Sequence, residues 1–405
     1  RRKEPFMVTT TKPANVLYAA VLTDEMLARF DERAPIYDRE NAFFTEDFEE
    51  LRASGYLDIA IPREFGGPGL SLEEVLGLQK RLAYYAPATA VAVNMHLYWT
   101  GVAADLYRAG DTSMAWVLEE AARGKVFAAG HGESGNDLPL LFSTTDARKV
   151  EGGWRFKGRK TFGSLSPVWD YLGIHGMDVS DPENPQVVHA FLARGGPGYR
   201  IENTWDVLGM RATQSEDTVL DDAFVPDELV PLVVPTGFRG VRPFHLSIYA
   251  WGILGFAAVY SGVARRAYDI TVESMKQRKS IVLTRSMAYH PEVQHHVAEM
   301  RMSLESIESH LSQVAHDWSA GVDHGADWAV KMISAKYHTV NKAWEIVDTA
   351  MDLSGGSGIF KRNRLEQLFR EARLGRIHPA NTLLAHEVVA KLSLGINPDE
   401  LPRWG

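Results

Sequence analysis

Histidines are the side chains of this sequence best suited to move protons, because imidazole titrates near neutral pH. His96 lies in the apolar stretch 92–100, and His245 lies in the run 243–264, which holds no Lys, Arg, Asp or Glu. His378 stands in Ile377-His378-Pro379-Ala380-Asn381. Each could act as a base, and each taken alone also reads as a packing or surface residue. Arg278 carries a guanidinium suited to bidentate phosphate binding, and reads equally as a helix-end charge. Gly355, Gly356 and Gly358 read as a helix-ending turn. The glycine-rich run 129–137, which includes Ser134, Gly135 and Asn136, allows close backbone approach to a ligand or simply marks a turn. Other chemistries lack their parts. There is no cysteine, hence no disulfide, thiolate metal site or cysteine nucleophile. His295 and His296 are adjacent and cannot face one metal from a helix, and no other metal motif is present. Gly195-Gly196-Pro197-Gly198 lacks the lysine and helix start of a phosphate loop.

These residues fall on elements of two kinds. Leu22, Met26, Leu27 and Phe30, then Phe44, Phe48, Leu51 and Leu57, recur at helical spacing. Gly66-Gly67-Pro68-Gly69 interrupts them, and Ser71 then reads as an N-cap, with Glu73 and Glu74 supporting the first turn. From Val126 the character changes to short β-prone runs, such as 154–156, 187–192 and 218–220, separated by Gly, Pro, Asn and Asp clusters. Ser164 closes one such run, where a hydroxyl can also simply satisfy local backbone. Glu151-Gly152-Gly153 reads as a hairpin turn. From Pro243 the helical period returns. The expected order is a helical domain over 7–125, a middle β domain over 126–240 and a helical domain over 241–405.

Composition bounds the rest. Hydrophobic residues are 45% and charged residues 23%, ordinary for a soluble globular chain of 405 residues with a sizeable core. A net charge of −9 argues against nucleic acid as a partner, since phosphate neutralisation needs a basic face. The uncharged run 243–264 has the roughly 20-residue length of a membrane span. His245, Ser247, Tyr249, Trp251 and Ser261 interrupt it, so a helix buried in a bundle is expected and no membrane. The first residues carry no apolar core of signal-peptide length, and Met7 is a candidate natural start. With the absence of cysteine, this fits a cytoplasmic location.

Several separated motifs share one resemblance. Residues 355–381 place the glycine cluster, then Arg370-Glu371-Ala372-Arg373, then Ile377-His378-Pro379-Ala380-Asn381. Leu208-Gly209-Met210-Arg211-Ala212-Thr213 precedes Asp221-Asp222-Ala223-Phe224-Val225-Pro226. Gly158-Arg159-Lys160-Thr161-Phe162-Gly163-Ser164 and Gln277-Arg278-Lys279 complete the set. In this order they resemble the signatures of the acyl-CoA dehydrogenase superfamily of flavoproteins across nearly the whole chain. The resemblance implies an α+β architecture of N-terminal helical domain, middle β-barrel domain and C-terminal four-helix bundle, assembled as a homotetramer. It implies FAD or FMN, with Phe162 and Ser164 at the ring and Ser134, Gly135 and Asn136 in a loop shared by flavin and substrate. It further places Arg278, Gly355, Gly356 and Asn381 among the cofactor contacts, Arg278 and the glycines often across a subunit boundary.

One part is missing. Dehydrogenases of this superfamily remove an α proton with a carboxylate, usually a Glu in the closing motif and sometimes one on the long buried helix. Aligned that way, the first position holds Pro379 and the second His245. Glu387 lies eight residues past Pro379 and reads as a surface or helix–helix residue. Superfamily members without the Glu include two-component monooxygenases, which take reduced flavin from a separate reductase and use oxygen on a small organic substrate. Such sites pair a serine near the flavin with histidines near the substrate, so His96, His245, His378 and His386 are expected to converge there beside Ser164. The missing carboxylate favours this branch over a dehydrogenase with a non-standard base. A third reading is an inactive paralogue that serves as a structural subunit.

Overall fold

Ser71 starts a helix as its sequence predicts: its hydroxyl accepts the Glu74 N–H, and the Glu74 carboxylate accepts the Ser71 N–H at 2.9 Å. In the computed structural model, which describes residues 20–400, that helix is the third of five α-helices that lie wholly within the described residues before the first strand. They are α1 (Asp24–Glu40), α2 (Thr45–Ala53), α3 (Leu72–Tyr85), α4 (Pro87–Arg108) and α5 (Ala115–Ala122). The proposed start at Met7 lies outside the described residues. α4 is buried along nearly its whole length, because it packs on helices at one side and on strand β1 (Phe127–Ala129) at the other.

The strands after β1 are β2 (Asp146–Val150), β3 (Gly153–Gly163), β4 (Tyr171–Asp178), β5 (Gln186–Ala193), β6 (Tyr199–Glu202), β7 (Glu216–Pro226) and β8 (Leu232–Pro235). They form one eight-stranded sheet in the order β6-β7-β3-β2-β4-β5-β8, with β1 parallel to β4. β2 and β3 make the expected hairpin about Gly152, at φ +76°. The sheet curls until β5 and β7 touch, and its end strands β6 and β8 are not paired with each other. Its edges, β6 and β8, are four residues each, and Pro235 lacks an N–H to pair.

Helices resume with α6 (Pro243–Ile248), a π-helical turn (Tyr249–Ile253) and α7 (Leu254–Gln277), one continuous rod of 35 residues. Its most apolar window, of mean hydropathy 1.5, is 89% buried within the protein, which accounts for its composition. α8 (Pro291–Ser319), α9 (Asp327–Ser354), α10 (Arg364–Leu374) and α11 (Thr382–Leu394) follow. These helices form the expected C-terminal helical domain. α7, α8 and α9 pack together, and α3 from the N-terminal part takes a further place against α7 and α8.

Two glycines set the layers close. A Cβ at Gly101 would lie 2.1 Å from the Trp251 ring, so only glycine lets α4 cross the rod there. Trp251 then donates its indole N–H to Asp105 at 2.7 Å. A Cβ at Gly173 would lie 2.3 Å from Trp99, whose indole N–H donates to the Ala128 carbonyl at 3.0 Å. These contacts fix α4 between the sheet and the rod.

Candidate active site

Where α4, the sheet and the rod meet, they enclose a cavity of about 250 Å³. α4 faces it with Val91, Met95 and Tyr98, and the rod with Ile248, Tyr249, Gly252, Ile253 and Phe256. The π turn lies at the centre of the rod's cavity face, a frequent place for such turns. The chain after α10 closes the cavity with Ile377, His378, Pro379 and Ala380, and α11 adds Leu384. Among the described residues, no Lys, Arg, Asp or Glu lines it.

One wall is built on strained backbone. Phe162, Leu165, Met210 and Gln214 all have positive φ without being glycine, and Phe162 and Met210 line the cavity. Such conformations cost about 1–3 kcal/mol each and concentrate where a site needs them. Between them lies a row of hydroxyls. Ser164 Oγ is 2.7 Å from Ser215 Oγ, which is 2.6 Å from Thr213 Oγ1, and Thr213 donates to the Met210 carbonyl at 2.8 Å. Phe162 is 65% exposed and meets Trp205 edge-on at 6.1 Å.

His378 lies flat on Phe256, with ring centroids 4.1 Å apart at 12°. Its Nε2 is 2.9 Å from the Tyr260 hydroxyl. Burial, with the nearby Lys336 charge, lowers its pKa to about 3. The ring is therefore neutral at physiological pH and only a weak base.

A second polar group was invisible in the sequence. His131 Nε2 is 2.9 Å from the Tyr98 hydroxyl and His131 Nδ1 is 3.3 Å from His175 Nδ1. His175 Nε2 is 3.1 Å from the Phe142 carbonyl. Strand register makes this row: Ala129 pairs with Gly173 in parallel, so His131 and His175, two residues on, come together. His175 in turn opposes His189 across β4 and β5, and His189 meets His245 at 3.2 Å. Burial keeps these rings neutral, that of His131 with a pKa lowered to about 3. Among the described residues no cluster is placed to hold a metal ion.

Beneath the row, Glu133 and Lys160 form a buried ion pair at 2.5 Å, with side chains 0% and 1% exposed. Glu133 also accepts from Asn136, Ser143 and Thr145. Burial opposes its ionisation, but Lys160 and these donors outweigh that and hold it below the ordinary carboxylate range. From Glu133 onward the glycine-rich loop thus carries structure, while Ala129, His131 and Gly132 line the cavity. Asn136 is occupied with Glu133 and the Phe142 carbonyl, and neither it nor the exposed Ser134 and Gly135 lines the cavity.

The expected convergence of four histidines is corrected. Of those four, His378 alone reaches the cavity. His96 neighbours Met95 but points off the Val91–Met95–Tyr98 face, and both its nitrogens are engaged, by the Leu57 carbonyl and the Phe127 N–H. His245 sits a turn before the rod's cavity face, between the Arg242 N–H and His189. His386 is exposed beside Tyr337. Asn381 does not line the cavity; its side chain caps α11 by accepting from the Leu383 and Leu384 N–H groups. Phe162 and Ser164 stand together at the cavity. Arg278 donates to the Leu353 and Ser354 carbonyls and packs against Gly355, with Gly356 open beside it. Arg370 ties α10 to Asp38 and the Leu208 carbonyl, so that part of the closing motif is structural.

An apolar cavity with a neutral polar wall, set among helices and a central sheet, has the form that small-molecule sites commonly take. The family models for the acyl-CoA dehydrogenase N-terminal and C-terminal domains match residues 20–125 and 254–382. The chain belongs to the acyl-CoA dehydrogenase superfamily. It is 30% identical over 368 residues to the putative acyl-CoA dehydrogenase YdbM of Bacillus subtilis, covering 89% of this chain and 93% of that one. It is 22% identical to the probable FMNH2-dependent monooxygenase SfnC of Pseudomonas putida, over 91% and 93% of the two chains. Among solved structures, KijD3 in complex with FMN and an amino-keto dTDP-sugar superposes with a TM-score of 0.83, at 24% identity over 96% and 97%.

Proposed function

We propose that this protein is a flavin-dependent monooxygenase, with a small organic substrate in the cavity and reduced flavin supplied by a separate reductase. The observation that carries this is that no carboxylate among the described residues lines the cavity, where Pro379 itself forms part of the wall. A dehydrogenase must remove an α proton beside the flavin. The two imidazoles that line the cavity have pKa values lowered to about 3, too weak for that task.

The residues present fit a flavin ring. Phe162 and Trp205 offer aromatic surface, Ser164 with Ser215 and Thr213 offers hydroxyls to a polar edge, and no fixed charge opposes a neutral ring system. A reduced flavin bound there would supply the electrons that activate oxygen. The chain would exclude bulk water with its apolar wall and hold a neutral hydrogen-bonding group, His378, beside the substrate. Phosphate finds no cation in the cavity. Arg278 lies at the far end of α7, 22 residues past Phe256 and so roughly 33 Å along the helix. Arg278, Gly355 and Gly356 would therefore serve a flavin in a second copy of the chain, as in a homotetramer in the cytoplasm.

A second reading, an acyl-CoA dehydrogenase with a non-standard base, is favoured by the description of the 30% identical relative. Anaerobic titration of the FAD-loaded protein with a panel of acyl-CoA thioesters separates the two. Unchanged flavin absorbance supports the monooxygenase, and bleaching by any member of the panel establishes the dehydrogenase.

A further inference from the structure

The row Tyr98–His131–His175 has one favoured proton order. His175 donates from Nε2 to the Phe142 carbonyl at 3.1 Å, so its Nδ1 accepts from His131 Nδ1–H. His131 Nε2 then accepts from the Tyr98 hydroxyl, and the phenol oxygen keeps lone pairs for a ligand. The reverse order would turn a bare His175 Nε2 toward the Phe142 carbonyl at 3.1 Å and the Glu133 carboxylate at 3.6 Å, acceptor against acceptor. The favoured order charges neither ring, and Tyr98 is left to accept from a ligand.

The surroundings of this group select against charge. The cavity wall is aliphatic and aromatic, its other polar groups are the neutral His378 and hydroxyls, and no charged side chain is present to meet a phosphate, carboxylate or ammonium. Burying an unpaired charge against such a wall is strongly unfavourable.

We propose that Tyr98, held by His131 and His175, is the polar contact for the substrate, and that the substrate is an uncharged, mainly apolar small molecule with a hydrogen-bond donor. This names the substrate class of the site proposed above. Binding to the flavin-free chain tests it independently of oxygen chemistry, so the two can fail separately.

The experiment is equilibrium dialysis of the flavin-free protein against naphthalene, 2-naphthol and 2-methoxynaphthalene, with butyryl-CoA and thymidine diphosphate as charged probes. 2-Naphthol should bind about 5–10-fold more tightly than naphthalene, the worth of one neutral hydrogen bond, and 2-methoxynaphthalene, which has no donor, no more tightly. Tyr98→Phe should remove that advantage and leave naphthalene within about 2-fold. The wild-type comparison alone suffices if the variant does not fold. Binding of the ether as tightly as 2-naphthol overturns the accepting role of Tyr98. Tighter binding of either charged probe, no saturable binding of any naphthalene, or an advantage that survives Tyr98→Phe overturns the assignment.

Discussion

The ammonium group of Lys336 lies 3.1 Å from the carbonyl oxygen of His378 and 3.1 Å from that of Ala380. It reaches out of α9 with 1% exposure and pins the turn that carries His378 into the cavity. Ala380 in this turn has φ +54°, a conformation alanine rarely adopts unless its surroundings enforce it. The residue that fixes the candidate active-site imidazole therefore belongs to a different helix and to no recognised motif.

This arrangement has a pH signature. Burial lowers the Lys336 pKa to about 7, against an ordinary value of 10.5. Between those values the unfolded chain binds a proton that the folded chain releases, so this lysine makes stability rise with pH from about 7 to 10.5. Lys336→Met should remove the rise. Denaturant unfolding of both proteins at pH 7 and 9 should show the difference shifting toward wild type, by at most about 1.4 kcal/mol per pH unit. A difference that does not change with pH contradicts the assignment.

The buried histidines act in the acid range. His96 and His245 have pKa values lowered to about 4, and His131 and His378 to about 3, chiefly by burial. Each is neutral in the fold and charged in the unfolded chain below about 6.5. Their contribution is fully present above that pH and is lost as pH falls toward 4 and then 3. Chemical denaturation at pH 7.5 and 5 should show markedly lower stability at pH 5, and equal stability would count against buried neutral rings.

Gly252 lines the cavity from the π turn, and a Cβ built on it meets nothing within 4 Å. Gly252→Leu should therefore fill ligand space while leaving the fold intact, because glycine is a poor helix former. Ligand affinity should fall at least about 10-fold, with thermal stability unchanged or raised. Retained affinity would mean that the cavity is not the binding site.

The Glu133–Lys160 pair supports the floor of the site. Glu133→Ala should cost about 3–5 kcal/mol in denaturant unfolding, since it strands a buried ammonium. Glu133→Ala with Lys160→Met should cost clearly less than Glu133→Ala alone. Equal costs would show that the lysine charge does not matter.

The sequence made the helix–sheet–helix order legible because periodicity and turn residues are local. The Ser71 cap, the Gly152 hairpin and the buried 243–264 run follow from neighbours within a few positions. The site was legible only where one segment carried it: Phe162 and Ser164 share a strand end, and His378 shares a turn with Pro379. What sequence could not show depends on register. His131 meets His175 only through the β1–β4 pairing, and His96 misses the cavity by one helical position beside Met95. Lys336 is distant in sequence from the turn it holds, and no spacing signals it.

The most direct test of the proposed chemistry is rapid mixing of the protein, loaded with chemically reduced FMN, with oxygenated buffer. The account predicts reoxidation through a transient species whose spectrum differs from both reduced and oxidised flavin, slowed when His378 is replaced by alanine. Single-step reoxidation at the rate of free reduced FMN, the same in wild type and His378→Ala, would contradict it.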